Sequence, residues 1–262
     1  MIVHISPFDF STGLIDESER LTNIKSVVIE RDATDETSLL ESATVEMDAT
    51  NFNEGWYAVD ALGEDVRTRL GVFYFSISTV KQESDTSLVY ELAGVSTLYN
   101  ASIERVQSGY SVVKGESGTN TLTKLLSVCE VPLEIEPFQI AKTQTYNGNV
   151  TKLGACWSIL RSAGMCIQLS NNGTIQIFTP SETSIKTIEN KSSNLLGEIT
   201  VESDCVSYKS TLDGRPYDLV YLNLPMYGVN SYMRIASQSI DLTNSLIADE
   251  VAKEEVYSDT GE

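Results

Sequence analysis

Residues 153–180 read LGACWSILRSAGMCIQLSNNGTIQIFTP and contain two different periodicities with no linker between them. The first part has the i, i+3, i+4, i+7 spacing that places apolar residues on one face of a helix. These residues are Leu153, Cys156, Trp157 and Leu160. Gly164 follows at the position where a left-handed residue ends a helix at little cost. The pattern predicts a helix that ends at Gly164 and buries one face.

After the helix the apolar residues alternate with polar ones, as in β-strands, and an Asn-Asn-Gly sequence interrupts the alternation. A two-residue turn at 172–173 would place the isoleucines of the second strand on the face opposite Leu169. A three-residue turn at 171–173 pairs Leu169 with Ile175 and keeps the apolar residues on one face. We therefore predict the three-residue turn, with Gly173 in the left-handed bulge position.

A similar unit lies 31 residues upstream. Its helix spacing is set by Leu122, Leu125, Leu126 and Cys129, and its strand alternation by Val131, Leu133 and Ile135. We expect side-chain oxygens of residues 119–121 to begin the first helix, and those of Asn149 and Thr151 to begin the second. The sequence allows two readings: a pair of related helix–strand units, or a chance likeness between two amphipathic helices.

Strand patterns dominate the rest of the chain. They cover residues 26–32, 44–48, 71–80, 88–95, 198–202, 205–210 and 218–224. The aromatic pair at 71–80 and 88–95, joined by a polar turn, suits the wall of a barrel or sandwich. Between the second and third patterns, residues 51–65 are interpreted as an acidic loop. Trp56 and Tyr57 in this loop are either a contact site or ordinary surface anchors.

These patterns predict a mainly β protein with an α+β insertion. The first barrel-like β domain is assigned to residues 1–110 and the helix–strand insertion to 111–185. The chain then returns to β structure at 186–230. Residues 231–262 are assigned to an acidic tail that is mobile or ordered by a partner.

The charge balance argues against binding of nucleic acid, because that affinity comes mainly from Lys and Arg. The chain has 37 acidic and 18 basic residues, a net charge of −19. Acidic residues concentrate at 44–66 and 241–262. They either keep the protein soluble or form a surface along which a polyanion moves without binding. With 41% hydrophobic residues the chain should fold, and no apolar run approaches the ~20 residues of a membrane span. The N-terminal sequence lacks a secretory signal, so we expect synthesis in the cytoplasm.

Motifs for chemistry are missing from the sequence. His4 is the single histidine and is interpreted as an ordinary strand residue. The four cysteines, Cys129, Cys156, Cys166 and Cys205, form no CxxC pair and are interpreted as buried thiols. The sequence has no GxSxG, GxxxxGK[ST] or GxGxxG pattern, and residues 32–36 lack the glycine and terminal glutamate of a calcium loop. We therefore expect no catalytic residue, no cofactor and no metal ligand, and a protein that is not an enzyme.

Residues 26–48, SVVIERDATDETSLLESATVEMD, resemble the central hub proteins of phage tail tips, a family with relatives in contractile injection systems. In that family a strand ending in Arg-Asp, a polar turn and a Leu-rich stretch precede a strand of alternating residues. A long hairpin similar to residues 71–94 follows, then a helix opening near a threonine such as Thr121. A GxIxI strand similar to GTIQI at 173–177 comes later. The resemblance covers roughly residues 20–225.

The resemblance implies two barrel-like antiparallel β domains and a homotrimer whose paired barrels form a pseudo-sixfold ring. Such a ring joins a hexameric tail tube, or distal tail proteins, to a threefold tip protein in the virion. DNA passes through its channel without specific binding, and no catalytic residue is carried over. A host-surface β module that binds a glycan or receptor, and a cell-wall hydrolase component, are the alternatives.

Overall fold

One 13-stranded sheet organises the protein in the computed structural model, and all but one of its strand pairs are antiparallel. The structure describes residues 2–34, 39–63, 66–84, 87–190, 193, 195–243 and 247–254. Within them no helix is both long and apolar enough to cross a membrane. The polar turn expected after Arg31 and Asp32 falls mainly on residues 35–38, outside the described residues. The chain is mainly β with a helix–strand insertion, as the sequence predicts.

The first half of the sheet contains the strands that precede the insertion. They are β1 (Ile2–Asp9), β2 (Leu14–Ile15), β3 (Ile24–Asp32), β4 (Glu41–Asp48), β5 (Gly55–Leu62), β6 (Arg67–Ser84) and β7 (Ser87–Val95), paired in the order β3–β4–β7–β6–β5–β1–β2. Their inward side chains form most of one core, in which Phe73, Phe75 and Leu92 are fully buried, and Ile240, Leu242 and Ala248 from later in the chain complete it. The predicted long hairpin is β6 and β7. It is longer than expected, because pairing continues to Ser84 and Ser87.

The second half of the sheet follows the insertion and has a separate core. Its strands are β13 (Lys186–Glu189), β14 (Leu195–Val201), β15 (Cys205–Thr211), β16 (Leu219–Leu224), β17 (Val229–Asp241) and β18 (Ile247–Lys253). β17 joins the two halves: its first part pairs with β16, and its last part pairs with β3 of the first half. The two halves therefore form one continuous sheet over two cores.

The insertion packs three helices against short strands. Its elements are α1 (Tyr99–Ile103), β8 (Tyr110–Val112), α2 (Gly118–Leu126), β9 (Leu133–Ile135), β10 (Gln144–Tyr146), α3 (Lys152–Ala163), β11 (Cys166–Leu169) and β12 (Ile175–Phe178). The helices α2 and α3 contact each other, and β9 pairs in parallel with β12. The two helix–strand units found in the sequence thus lie side by side and share one core.

The local predictions for residues 153–180 are confirmed. The apolar stripe of α3 is buried, and Gly164 ends the helix at φ +65°. Leu169 pairs with Ile175 around a turn in which Gly173 has φ +75°, so the three-residue turn is correct. Thr151 accepts a hydrogen bond from the backbone N–H of Gly154 at 3.0 Å, as a helix cap does.

The start of α2 differs from the prediction. Ser117, rather than a residue of 119–121, caps the helix by accepting a hydrogen bond from the backbone N–H of Asn120 at 3.2 Å. The hydroxyl of Thr121 instead donates to the carbonyl oxygen of Ser117 at 3.0 Å. The sequence offers several oxygen-bearing side chains in a row, and the pattern does not tell which of them stands at the cap.

The acidic loop predicted at 51–65 is wrong over most of its length, because Gly55–Leu62 forms the interior strand β5. Tyr57 and Val59 face the core, while Ala58 and Asp60 are buried on the other face. A strand buried on both faces lacks the alternation that marks a half-exposed one. Asp60 gave the segment its loop-like composition, but two arginines neutralise it: Arg67 Nη2 and Arg69 Nε lie 2.6 and 2.9 Å from its carboxylate.

The tail predicted at 231–262 is also wrong for the described part, which forms β17 and β18 at the centre of the sheet. The inward residues of β18 are Ala248, Glu250 and Ala252. Two small side chains and one carboxylate do not produce an apolar alternation, so the strand was not recognised. Residues 255–262 of the predicted tail lie outside the described residues.

Candidate functional site

The cysteines are free thiols in two environments. Cys129, Cys156 and Cys166 are buried, as predicted, and burial raises the pKa of Cys129 to about 11 and that of Cys156 further. Cys205 departs from the prediction because it is only half-buried, at the first residue of β15. Burial and the neighbouring Glu202 raise the pKa of Cys205 as well. The thiols of Cys129, Cys156 and Cys205 are therefore not activated as nucleophiles, since activation requires a lowered pKa.

We predict that the native protein reacts slowly with a thiol reagent, at Cys205 first. The buried thiols lack solvent access and should react only when the protein unfolds. Timed labelling with an uncharged maleimide, followed by peptide mass spectrometry, measures this order. A Cys205→Ser variant should remove the native-state reaction. Labelling of Cys156 in the native protein at a rate similar to that of Cys205 would contradict the burial described here.

His4 lies in β1, consistent with its interpretation as a strand residue. Arg20 Nη1 is 2.7 Å from its Nε2 and 3.1 Å from its Nδ1. Burial lowers the pKa of His4, and Arg20 and Arg67 lower it further. The imidazole is therefore neutral at pH 7, and the side chain in contact with its ring nitrogens is the cation Arg20 rather than a carboxylate that would orient a catalytic base.

Trp56 and Tyr57 do not form the exposed contact site considered from the sequence. Tyr57 is buried, and its hydroxyl donates to the carbonyl oxygen of Asn53 at 2.7 Å. Trp56 is partly buried and packs edge-to-face with Phe10 and Tyr74, at ring-centroid distances of 5.2 and 5.6 Å. Both residues serve the packing around β5.

The large sheet presents a continuous polar surface that crosses both halves. A row of directly paired residues runs from β15 through β18, β17 and β3 to β4: Lys209, Asp249, Ser239, Glu30 and Ser42. We call this side of the sheet the outer face. The residues that alternate with the row, such as Ile29, Ala43 and Glu250, point inward and are buried. Over β15, β18, β17, β3 and β4 the outer face is therefore solvated in a single chain, whereas at β5 and β6 the same side is buried at Ala58 and Val72.

The outer face is mainly acidic. Its carboxylates, assigned by strand register, are Glu30, Asp32, Glu46, Asp48, Glu91, Asp241 and Asp249. Lys81 lies 3.2 Å from Glu46 and 2.5 Å from Glu91, and Lys209 lies 3.4 Å from Asp249. The cations on this face are thus already paired with carboxylates, so the face offers little free positive charge to a polyanion.

A buried polar network joins the two halves beneath the outer face, on the inward side of the sheet. Arg31 of β3 donates to Gln238 of β17 at 3.1 Å and to the carbonyl oxygen of Leu70 at 2.6 Å. Its Nε lies 3.1 Å from Glu41, as an ion pair rather than a hydrogen bond. Burial lowers the pKa of Arg31 to about 10, with Glu41 opposing the shift, so the guanidinium stays charged at pH 7.

The network continues into the second half through Gln238. Its amide nitrogen donates to Glu250 of β18 at 2.8 Å, and Lys186 of β13 donates to the same carboxylate at 3.0 Å. Lys186 also donates to Asp213 at 2.8 Å and Ser210 at 3.0 Å. The side chains of Lys186 and Glu250 are 3% and 0% exposed, so each depends on the other for compensation of its charge.

Arg215 ties the insertion to the same network. Its guanidinium lies 2.9 Å from Glu41 and also donates to the carbonyl oxygen of Leu169 and the side chain of Asn171, in the β11–β12 hairpin. Both halves of the sheet and the insertion therefore meet at one set of buried charges, which we call the junction network. Sequence reasoning missed it, because no local pattern links residues from such distant parts of the chain.

Comparison with protein-family models and with curated proteins gives no match. Solved structures do match. The tail protein from Neisseria meningitidis MC58 has 12% identity and a TM-score of 0.71, with 97% of this chain and 96% of that chain covered. The 43 kDa tail protein of prophage MuSo2 from Shewanella oneidensis has 11% identity and a TM-score of 0.70, with coverages of 95% and 97%.

A more distant match is the Escherichia coli c3393 protein, with 8% identity, a TM-score of 0.54 and coverages of 90% and 74%. That protein is described as a component of the type VI secretion system that is structurally similar to the T4 tail proteins gp27 and gp5. The chain therefore has the fold of phage tail proteins over nearly its whole length. The fold expected from the resemblance is confirmed.

Proposed function

We propose that this chain is a structural protein of a phage-type tail, which forms a trimeric hub ring at the tail tip. The observation that carries the proposal is the match of nearly the entire chain to two phage tail proteins. A structural role agrees with the raised thiol pKa values and the neutral His4 described above. The ring joins the tail tube to the tip protein in the virion. The chain acts through shape complementarity with its neighbours and not as a catalyst.

The two-core architecture supports a ring of three copies. Each copy supplies two β halves, so three copies place six β units around the axis, which matches a sixfold tube. The junction network holds the two halves of one copy in a fixed relation, because Arg31 of the first half donates to Gln238 of the second at 3.1 Å, and Arg215 of the second half lies 2.9 Å from Glu41 of the first. A ring element that transmits load between tube and tip needs such a fixed relation.

We assign the outer face to the wall of the channel. DNA carries one negative charge per ~1.7 Å of helix axis, and a wall of carboxylates repels it at short range. The cations of this face are paired with carboxylates, so phosphates find few free partners. The genome can then move through the channel during ejection without binding to its wall.

Light scattering and electron microscopy of the purified protein test the ring. The expected result is a particle with three times the chain mass of 28.8 kDa and threefold symmetry. A stable monomer across the accessible concentration range would overturn the trimeric hub. Incubation with purified cell wall is the companion assay, and release of soluble fragments would establish an enzyme instead.

A DNA-binding assay tests the assignment of the outer face to the channel wall. The wild-type protein should not retain duplex DNA at low salt, whereas the Glu30→Lys/Asp249→Lys double variant should bind it with a strong salt dependence. A Glu19→Lys/Glu54→Lys variant, which makes the same charge change away from the outer face, is the control for net charge. Equal binding by both variants would remove the assignment of the outer face to the channel.

A further inference from the structure

The first half of the sheet has a cleft beside the start of β1 and the start of β3. Residues of these two strands line it, together with residues 20–23 and the segment that follows β17, and its volume is about 420 Å³. His4, Arg20 and Lys25 line the cleft, and no carboxylate does in the described part of the chain, although the chain has 37 acidic and 18 basic residues. We call it the basic cleft.

Arg20 is the cation of the basic cleft that remains open to a partner. Lys25 is already engaged, because its Nζ lies 3.1 Å from Asp48 and 2.5 Å from Glu83. Arg20 is exposed, and its Nη1 lies 2.7 Å from Nε2 of His4, which is neutral. Among the described residues no carboxylate lies within ion-pair distance of Arg20. A single copy therefore leaves this guanidinium without an anionic partner in the part of the chain that the structure describes.

The hairpin of β14 and β15 in the second half carries two carboxylates at its tip. Its turn is closed by the backbone N–H of Glu202, which donates to the carbonyl oxygen of Cys205 at 2.9 Å. One oxygen of Glu202, one of Asp204 and Sγ of Cys205 lie within 4.8 Å of one another. Lys253 lies 3.9 Å from Asp204, and residues 192–208 contain no basic residue. We call Glu202–Asp204 the acidic tip, and its two like charges repel each other unless a further cation approaches them.

The acidic tip and the basic cleft of one copy lie at opposite ends of the sheet. Cys205 pairs with Lys253, and Lys253 pairs with Arg234 of β17. Leu242, which lines the basic cleft, comes eight residues after Arg234, about 25 Å farther along the strand direction. The tip and the cleft belong to strands of one continuous sheet, so they cannot approach each other within a copy. A contact between them joins two copies.

We propose that the acidic tip of one copy docks in the basic cleft of the next copy in the hub ring, with Glu202 and Asp204 facing Arg20. The contact rests on the proposed function and specifies how the copies meet. Because every copy carries a net charge of −19, two copies repel each other unless an acidic surface meets a basic one. The contact joins two different surfaces, so three copies can close a ring through three identical head-to-tail contacts. It also joins the second half of one copy to the first half of the next, so the six β units alternate around the axis.

Light scattering on charge variants of the full-length protein, over a concentration series at low salt, tests the contact. Arg20→Glu and the double variant Glu202→Lys/Asp204→Lys should each raise the concentration needed for assembly by about tenfold or more, because like charges then meet. Combining all three substitutions in one chain reverses both surfaces and should restore assembly. Arg105→Glu reverses a charge that is also exposed, on the insertion, and should leave assembly unchanged. Circular dichroism confirms that each variant is folded.

The reactivity of Cys205 gives a second measurement of the same contact. Its thiol lies beside Asp204 at the tip, so docking should slow its reaction with a maleimide. Arg20 lies at the opposite end of the sheet, so Arg20→Glu affects this thiol only through a neighbouring copy. At a concentration where the wild type is assembled, Arg20→Glu should speed the labelling of Cys205 by about tenfold, and on dilution the two rates should become equal.

Assembly and labelling of Arg20→Glu that match the wild type would overturn the proposal, and so would a triple variant that stays dissociated. The outcomes also separate the contact from the hub ring. A wild-type trimer that persists in Arg20→Glu contradicts only the contact. Open chains of copies that Arg20→Glu dissociates and the triple variant restores would support the contact and contradict the closed ring. A stable wild-type monomer would overturn both.

Discussion

Replacing Lys186 with methionine is expected to lower the free energy of unfolding by about 3–5 kcal/mol. Methionine has a similar length but no charge, and it leaves the fully buried carboxylate of Glu250 without its cation, next to neutral partners such as Gln238. Because β13 and β18 belong to the one continuous sheet, the cost should appear in the unfolding of the whole sheet. Urea titration with linear extrapolation measures the effect.

Two further variants show whether the loss comes from the uncompensated charge. Lys209→Met removes a cation that lies 3.4 Å from Asp249 on the outer face, where both side chains are about half exposed, and should cost at most about 1 kcal/mol. Adding Glu250→Gln to Lys186→Met should recover part of the stability, because the buried charge is then gone. If Lys186→Met costs no more than Lys209→Met, the buried Lys186–Glu250 pair does not contribute the expected stability.

Local rules of the sequence were sufficient for the parts of the fold that depend on near neighbours. The turn at Gly173 follows from the need to keep Leu169 and Ile175 on one face, and both the register and the positive φ were predictable. The same is true of the buried stripe on α3 and its end at Gly164. In each case the residues that decide the structure are close to one another in the sequence.

The errors have a common physical origin in long-range pairing. β5 is buried on both faces and carries Asp60, and β18 carries Glu250 inward, so composition indicated a loop and a tail where the protein has interior strands. These carboxylates are tolerated because Arg67, Arg69 and Lys186 arrive from other strands. A single sequence does not show which cation will meet which carboxylate.

The junction network is the extreme case. Arg31 and Gln238 are 207 residues apart, and Arg215 and Glu41 are 174 apart. Only the strand order, with β17 paired to β3, brings them together. The resemblance to tail hub proteins predicted the fold class but not the junction network, because it rested on the pattern of strands and not on their buried charges.

Replacing Trp157 with alanine is also expected to have a large effect, a loss of about 3–5 kcal/mol in the free energy of unfolding. The indole is 1% exposed and packs at the centre of the insertion core. Alanine would leave a cavity between α3 and the short strands that the surrounding backbone can fill only in part. Because most of this core comes from the insertion itself, with Ala33, Leu40 and Tyr217 added from the sheet, the insertion should loosen before the sheet unfolds.

Circular dichroism during thermal unfolding tests this order. In Trp157→Ala the helical signal should fall at a lower temperature than the strand signal, whereas the wild type should show a single transition. Tyr232→Ala removes a large side chain that is 59% exposed and should change stability by less than about 0.5 kcal/mol. A loss below about 1 kcal/mol in Trp157→Ala would contradict the central place of the indole in the insertion core. Coincident transitions with a large loss would show instead that the junction network couples the insertion tightly to the sheet.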